Sequence, residues 1–304
     1  MTGTEFDRFK TLIYEEAGIR LGPGKKDLLA GRLTRRMREL GIRTFREYYH
    51  RLLHGDGTER VHCLNAVSTN ETHFFREPKH FEFLRDDLIP IWMSRADAGA
   101  MPRRLRIWSA ACATGEEPYS LAMVASERLP AASGWDVEIQ ATDLSTTAVE
   151  RARAAVWSIA KADEIPPEYL RAYMLRGTGR QQGKMKAGPE IRSMVRFGRV
   201  NLNDEAYPLA GPFDVIFCRN VLIYFDIDSK VRVLQRLLNY LAPDGYLFLG
   251  QVESIQGLTD RLRAAGPTVY VLADQSIPDA GEVDAPRVTR ADGRRNAMAM
   301  GDDL

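Results

Sequence analysis

The sequence lacks the features of several large protein classes. Among its 304 residues there are three cysteines, which are widely separated and have no metal-ligand spacing (Cys63, Cys112 and Cys218). We therefore expect neither a disulfide framework nor a metal site, and a reducing cytoplasm is the simplest location. No apolar run approaches the roughly 18 residues of a membrane span, so membrane insertion is not expected. The charged N-terminal segment also lacks the apolar stretch of a secretory signal.

The net charge is only +1, which argues against a protein that binds polyelectrolytes through its overall charge. The charge is nevertheless uneven, because Arg20–Arg51 contains ten Lys or Arg residues against three acids. Such a local basic surface indicates an acidic partner, whether protein, nucleic acid or lipid.

Residues 1–95 have a helical pattern, whereas strand and helix signals alternate after residue 103. Leu29, Leu33, Met37 and Leu40 recur at helical spacing and predict a helix over about 26–40 that Gly41 ends. The alternation predicts a doubly wound, mainly parallel sheet. We therefore expect an all-α domain over 1–95 and an α/β domain over 96–274.

Two segments depart from this alternation. The glycine-rich stretch at about 176–193 predicts a hairpin inserted on the sheet as a small β-subdomain. Apolar content falls over 275–304, and that composition predicts a disordered tail.

The junction between the first strand and its helix, Trp108–Ser120, is rich in small residues. Ser109, Ala111, Ala113 and Gly115 would let a ligand approach the backbone at the carboxyl end of a strand, where open parallel sheets bind ligands. No G-x-G-x-x-G pattern is present, so a bound pyrophosphate is not expected. An ordinary tight turn has the same composition, so this motif alone leaves both interpretations open.

Asp143 ends the second strand. An acid at this place typically accepts hydrogen bonds from a nucleoside, although an acid that caps the next helix has the same appearance in sequence. The two junctions together, without a phosphate loop, favour a phosphate-free nucleoside cofactor such as S-adenosylmethionine.

At the third junction Arg219 and Asn220 follow a strand, and Tyr224 lies one helical turn further. A (D/N)PP(Y/F) motif, which aligns the amine lone pair in many amino-group methyltransferases, is absent from this place. The similar string IPPEY at 165–169 follows no strand. This argues against methylation of nucleic-acid amino groups, and no nucleic-acid partner is expected.

Four linked segments carry a resemblance to a known family. STNETHFFRE (68–77), WSAACATGEEPYS (108–120), FCRNVLIYF (217–225) and LAPDGYLFLG (241–250) follow one another in the order typical of the CheR family, the chemotaxis receptor glutamate O-methyltransferases. The resemblance covers about residues 5–273. It implies a helical N-terminal domain followed by a Rossmann-like S-adenosylmethionine-dependent methyltransferase domain with an inserted β-subdomain.

The resemblance also implies roles for individual residues. Arg76 and Tyr224 would serve the reaction, Arg76 by orienting a carboxylate of the substrate or of the cofactor, and Tyr224 beside the reactive methyl. The same residues would contact S-adenosylmethionine and its product, S-adenosylhomocysteine. They are Asn70, Thr72, Arg76, Glu117, Asp143, Asn201, Leu202, Arg219 and Asn220.

The implied substrate is a glutamate on an acidic helical hairpin of a chemotaxis receptor. Glutamate is ionised at neutral pH, so its methylation needs orientation and exclusion of water rather than a general base. The basic residues expected to steer the hairpin are Arg32, Arg35, Arg36 and Arg38. A receptor C-terminal peptide could dock on the β-subdomain, and a monomer is expected.

Two departures from the family pattern and two alternative functions stay open. Gln251 stands where many members have histidine, and His73 stands where the family pattern has a small or apolar residue. The alternatives are a methyltransferase acting on RNA or a small molecule, and an inactive cofactor-binding adaptor. The complete set of candidate site residues argues against the adaptor, because a decayed site should have lost some of them.

Overall fold

The computed structural model describes residues 1–274, and the predicted disordered tail at 275–304 lies outside the described residues. The first four helices are α1 (Gly3–Ala17), α2 (Lys26–Glu39), α3 (Phe45–His54) and α4 (Thr58–Val67). They enclose a core of their own around Phe9, Leu33 and Tyr48, which are fully buried. Leu29, Leu33 and Met37 of the predicted stripe are buried in this core and Leu40 is partly buried, and Gly41 follows with a φ of +68°.

A long helical connection follows, consisting of α5 (Pro78–Glu82), a π-helical segment (Phe83–Leu88) and α6 (Ile89–Asp97). Its apolar side chains Phe81, Leu84 and Trp92 pack into the core of the α/β domain and not against α1–α4. The packing therefore changes domains between Val67 and Phe74, well before the predicted boundary at residue 95. Helical periodicity cannot show which core a helix joins.

The remaining helices are α7 (Glu116–Arg128), α8 (Thr146–Ala154), α9 (Pro167–Tyr173), α10 (Pro189–Ser193) and α11 (Ile227–Leu238). The strands are β1 (Arg104–Ala110), β2 (Asp136–Asp143), β3 (Val156–Ser158), β4 (Met174–Arg176), β5 (Lys184–Ala187), β6 (Val195–Arg199), β7 (Phe213–Cys218), β8 (Leu241–Leu249), β9 (Leu262–Gly266) and β10 (Val269–Leu272).

The large sheet has the strand order β6-β2-β1-β7-β8-β10-β9. The first five are parallel to their neighbours, and β10 and β9 extend the edge in antiparallel pairings. The chain moves outward from β1 in one direction and returns to place β7 on its other side. This order confirms the predicted doubly wound fold, and the reversal between β1 and β7 marks the carboxyl edge where such sheets bind ligands.

The inserted β-subdomain is a three-stranded antiparallel sheet in the order β3-β5-β4. The predicted hairpin is present, with β4 paired to β5 over Met174–Arg176. Gly177 is required there, because a Cβ would lie 2.0 Å from the Gln181 carbonyl oxygen. The subdomain starts at β3, some twenty residues before the predicted 176–193. A three-residue strand is too short to give a periodic signal.

Candidate active site

A cleft of about 740 Å³ lies between the helical domain and the carboxyl edge of the large sheet. Its volume is in the range of small-molecule sites. The cleft is lined by all ten residues predicted to serve the cofactor or the reaction: Asn70, Thr72, Arg76, Glu117, Asp143, Asn201, Leu202, Arg219, Asn220 and Tyr224. The structure thus brings together residues that are up to 154 positions apart in sequence, from Asn70 to Tyr224.

The small residues after β1 form a tight loop at the cleft floor. Ala111, Ala113 and Gly115 all have positive φ values, of +72°, +47° and +97°. Gly115 is also required by packing, since a Cβ there would lie 2.9 Å from the Cβ of Ala152 on α8. The composition of the motif therefore serves backbone geometry as well as ligand access.

Asp143 joins this loop to the end of β2. Its Oδ2 accepts the Ala113 N–H at 2.9 Å and its Oδ1 accepts the Ser145 N–H at 2.8 Å. Burial raises the pKa of this carboxyl, and the backbone donors only partly oppose the rise. Helix α8 is capped by the Ser145 hydroxyl, which accepts the Ala148 N–H, so Asp143 is not the cap. Asp143 instead shapes the cleft wall and keeps acceptor capacity for a ligand.

Glu117 lies in the first turn of α7 and is paired inside the cleft. Its Oε1 accepts from the Ser109 hydroxyl at 2.7 Å, and its Oε2 lies 3.3 Å from Nη1 of Arg219. Burial raises the pKa of Glu117 despite the opposing charge of Arg219. Arg219 is 1% exposed and packs near the rings of Phe81 and Phe217, with centroids 5.6 and 5.5 Å away.

Glu77 is a site residue that sequence reasoning missed. Its Oε2 lies 3.1 Å from Nη2 of Arg219, and its Oε1 accepts from the Asn220 side chain and the Gln251 N–H, both at 3.2 Å. Burial alone would raise the pKa of Glu77, but Arg219 and these donors hold it below the ordinary value. Its position at the end of the STNETHFFRE motif was the one feature of the sequence that could have indicated a role in the site. Nothing in the sequence indicates its left-handed backbone, with a φ of +59°.

Glu253 was also given no role by the sequence. Its carboxylate accepts the backbone N–H groups of Asn220 at 2.8 Å, Leu222 at 2.7 Å and Gly250 at 2.7 Å. The loop after β7 is thereby fixed to the end of β8. Gln251 is exposed and contributes its backbone N–H, so the replacement of the family histidine leaves this arrangement intact.

The helical domain closes the other side of the cleft. The Arg20 N–H donates to the Tyr224 carbonyl at 2.8 Å, and Ile19 forms a β-bridge with Phe225. Asn201 donates its side-chain amide to the Glu16 carbonyl at 2.7 Å. That amide is therefore engaged with α1, which leaves the apolar Leu202 to contact a flat ligand at this place.

The four arginines predicted on α2 are placed differently from one another. Arg32 lines the cleft and donates to the Val67 carbonyl and to Thr69 Oγ1. Arg35 and Arg38 are exposed, with the Arg35 side chain 88% accessible.

Arg36 is a correction to the predicted substrate surface. Its Nε and Nη2 donate to the buried carboxylate of Glu59 at 2.9 and 2.7 Å, and the Tyr48 hydroxyl donates to the same carboxylate. The guanidinium thus stabilises the helical domain and is not free for a partner. Helical phase placed Arg36 on the polar flank but could not reveal an acid on α4.

The charges in the cleft define the ligand that it can accept. Helix N-termini usually attract anions, yet α7 begins with Glu116 and Glu117, and Asp143 takes the Ala113 N–H. Beside α7 these carboxylates favour a nucleoside with a positive centre over a phosphate, and the basic Arg20, Lys25 and Arg32 line the cleft from the helical domain. Arg219 adds a buried Nε without a hydrogen-bond partner in the described residues, and this group fits a carboxylate or polar ligand atom. The residues therefore fit S-adenosylmethionine.

Two absences complete the description of residues 1–274. Within this range no group of three or more His, Cys, Asp or Glu side chains is arranged to hold a metal ion. No helix in the same range is long and apolar enough to cross a membrane.

Comparison with known proteins gives a consistent family match. The family described as "CheR methyltransferase, SAM binding domain" matches residues 70–271, and "CheR methyltransferase, all-alpha domain" matches residues 4–68. The chain is 38% identical over 275 residues to the chemotaxis protein methyltransferase of Escherichia coli K12, and the aligned region covers 90% of this chain and 92% of that protein. It is 37% identical over 271 residues to chemotaxis protein methyltransferase 2 of Pseudomonas aeruginosa, with coverages of 88% and 93%.

Proposed function

Because the chain belongs to the CheR methyltransferase family, we propose that it transfers methyl groups from S-adenosylmethionine to glutamate side chains of chemotaxis receptors. The observation that carries the proposal is the cleft in which Glu117, Asp143 and Arg219 meet at the carboxyl edge of the sheet. When bound, S-adenosylmethionine supplies an activated methyl group on a sulfonium centre.

In this proposal the cleft binds and orients both partners of the reaction. Asp143 and Glu117 accept hydrogen bonds from the nucleoside and balance its positive charge, and Leu202 contacts the base. The network around Arg219 is rigid, because Glu77, Glu117 and the Phe81 and Phe217 rings fix its guanidinium. A preformed site of this kind loses little free energy to reorganisation when it binds.

Arg76 and Tyr224 are the residues proposed to act on the substrate carboxylate. Both line the cleft; the Arg76 carbonyl accepts from Arg219, and its guanidinium donates to the Glu71 carbonyl at 3.3 Å and keeps further donors for a carboxylate. Tyr224 is held by its backbone, through the Arg20 N–H. No proton needs to be removed from an ionised glutamate, and the absence of a general base in these roles is consistent with that chemistry.

The surfaces that we propose for receptor binding are those whose basic or apolar side chains are exposed. Arg35 and Arg38 on α2 are the exposed basic groups that we propose to steer an acidic receptor helix. Strand β4 is an edge of the small sheet and exposes Leu175, so an extended receptor peptide could add to it as a further strand. We propose that the protein acts as a monomer in the cytoplasm.

The decisive experiment is methyl transfer from radiolabelled S-adenosylmethionine to membranes that contain the receptors. The expected product is a base-labile ester that releases labelled methanol, whereas methylated RNA bases would keep the label. Calorimetry should show binding of S-adenosylhomocysteine and none of ADP. Binding without ester formation on any receptor would contradict the proposal and favour an adaptor.

A further inference from the structure

The loop that carries Asn70, Thr72 and Arg76 into the cleft is supported from its other side by the inserted β-subdomain. Phe74 meets Trp157 of β3 edge-to-face, with ring centroids 5.0 Å apart. Phe75 stacks on Tyr169 of α9 at 5.2 Å with an interplanar angle of 6°. The loop therefore lines the cleft with residues 70–73 and Arg76 and packs the intervening Phe74 and Phe75 rings against the subdomain.

Two charged residues of the subdomain hold the backbone of this loop. The Lys161 ammonium donates to the Thr72 carbonyl at 3.0 Å, and the Glu164 carboxylate accepts the Phe74 N–H at 3.0 Å. Both residues belong to the 3₁₀ segment Ile159–Glu164 that follows β3. The subdomain thus fixes backbone groups on both sides of His73, in addition to packing against the Phe74 and Phe75 rings.

Lys161 also connects the loop to the start of α7. Its Nζ lies 2.9 Å from Oε1 of Glu116, whose side chain is 1% exposed, and Glu116 precedes the cleft residue Glu117. Neither Lys161 nor Glu164 lines the cleft. One ammonium thus joins two elements that carry cleft-lining residues, the loop and α7, without itself lining the cleft.

We propose that Lys161 and Glu164 are positioning residues for the cofactor and couple the β-subdomain to the cleft. They act through Thr72 and Phe74 of the loop and through Glu116 of α7. By linkage, a ligand that orders the loop must also order the subdomain segment, and a partner that rigidifies the subdomain must strengthen cofactor binding. The inference deepens the proposed function and rests on it for the identity of the cofactor.

The test compares variants in calorimetry with S-adenosylhomocysteine. Lys161→Met and Glu164→Ala should each weaken binding about tenfold, the usual consequence of losing a charge-assisted hydrogen bond. Lys161→Arg and Glu164→Gln keep a donor and an acceptor and should restore most of the affinity. Lys184→Met is the matched control, since the Lys184 ammonium lies on the surface of the same subdomain and donates to the Gln181 side chain.

Two further readouts separate positioning from a merely structural role. In turnover assays the variants should raise the KM for S-adenosylmethionine and leave kcat at saturation near the wild-type value. In hydrogen exchange, S-adenosylhomocysteine should slow the exchange of the backbone amides of residues 156–164 in the wild type and not in Glu164→Ala. The Glu164→Ala variant leaves no buried charge unpaired, so the test stays valid if Lys161→Met does not fold.

The outcomes are distinguishable. Wild-type affinity in both Lys161→Met and Glu164→Ala, or unchanged ligand-induced protection at 156–164 in Glu164→Ala, would overturn the inference. Failure of the wild type to bind S-adenosylhomocysteine would instead overturn the proposed function.

Discussion

His80 should make the stability of this protein depend on pH between about 6.5 and 4. The imidazole is 4% exposed, packs edge-on against Phe248 and shares a 2.8 Å hydrogen bond between its Nε2 and Thr268 Oγ1. Its Nδ1 faces Glu77 at 3.4 Å. Burial and the charge of Arg219 lower the pKa of His80 from 6.5 to about 4, and the attraction of Glu77 does not compensate.

The sign and size follow from proton linkage. In the unfolded chain His80 takes up a proton near its ordinary pKa of 6.5, whereas in the folded protein it resists until about pH 4. Between these values the unfolded state binds more protons, so the free energy of unfolding falls as the pH falls. Above pH 6.5 this contribution is constant. The loss between neutrality and pH 5 is about 2 kcal/mol, and roughly 3 kcal/mol at pH 4.

The assay is urea unfolding, followed by tryptophan fluorescence, of the wild type and His80→Gln from pH 7.5 to 5. Glutamine keeps a group able to bond Thr268 and cannot titrate. Because every other ionisable group is shared, the difference between the two proteins isolates His80. That difference should fall by about 2 kcal/mol towards pH 5. Parallel stability curves would refute the argument, since they would mean that His80 protonates as readily in the folded state as in the unfolded one.

Three further predictions concern the arginines of α2 and the loop after β8. Arg36→Met should destabilise the protein by about 3 kcal/mol in urea unfolding because Glu59 is left as a buried unpaired charge, whereas Arg35→Met should change stability by less than about 0.5 kcal/mol. The double variant Arg35→Glu/Arg38→Glu should slow receptor methylation at low salt with unchanged calorimetric affinity for S-adenosylhomocysteine, and an unchanged rate would contradict the steering role. Gly250→Ala should abolish turnover, since its Cβ would lie 2.6 Å from the Asn220 side-chain nitrogen, and wild-type turnover would show that the loop can relax.

The fold was largely predictable because its signals are periodic. Strand–helix alternation gave the parallel sheet, and the apolar stripe and Gly41 gave the extent of α2. The prediction failed where a helix had to be assigned to one of the two domains, because that assignment depends on contacts far apart in sequence. The helix over 78–97 has an apolar face that fits either domain, and only the three-dimensional packing places Trp92 in the core beside Tyr246.

The site was predictable where residues belong to continuous motifs at strand ends, and not where their role depends on a partner far along the chain. Asp143 ends a strand and Arg219 follows one, and the structure places both in the lining of the cleft. Arg36 was misassigned because Glu59 lies 23 positions away on another helix. Glu253 was passed over because its function is to bind three backbone N–H groups, and such a role has no pattern in sequence.

The distribution of buried charge explains why so few side chains suffice for this chemistry. Arg219 is compensated by Glu77 and Glu117, and Asp143 is held by backbone donors, so these buried groups present fixed charges and dipoles to the cleft. Fixed groups of this kind need not reorganise during a reaction. A carboxylate substrate arrives ionised, and a base would add nothing to its reactivity. The shape of the cleft in turn depends on Glu253, Lys161 and Glu164, which bind backbone groups of its loops and do not line it.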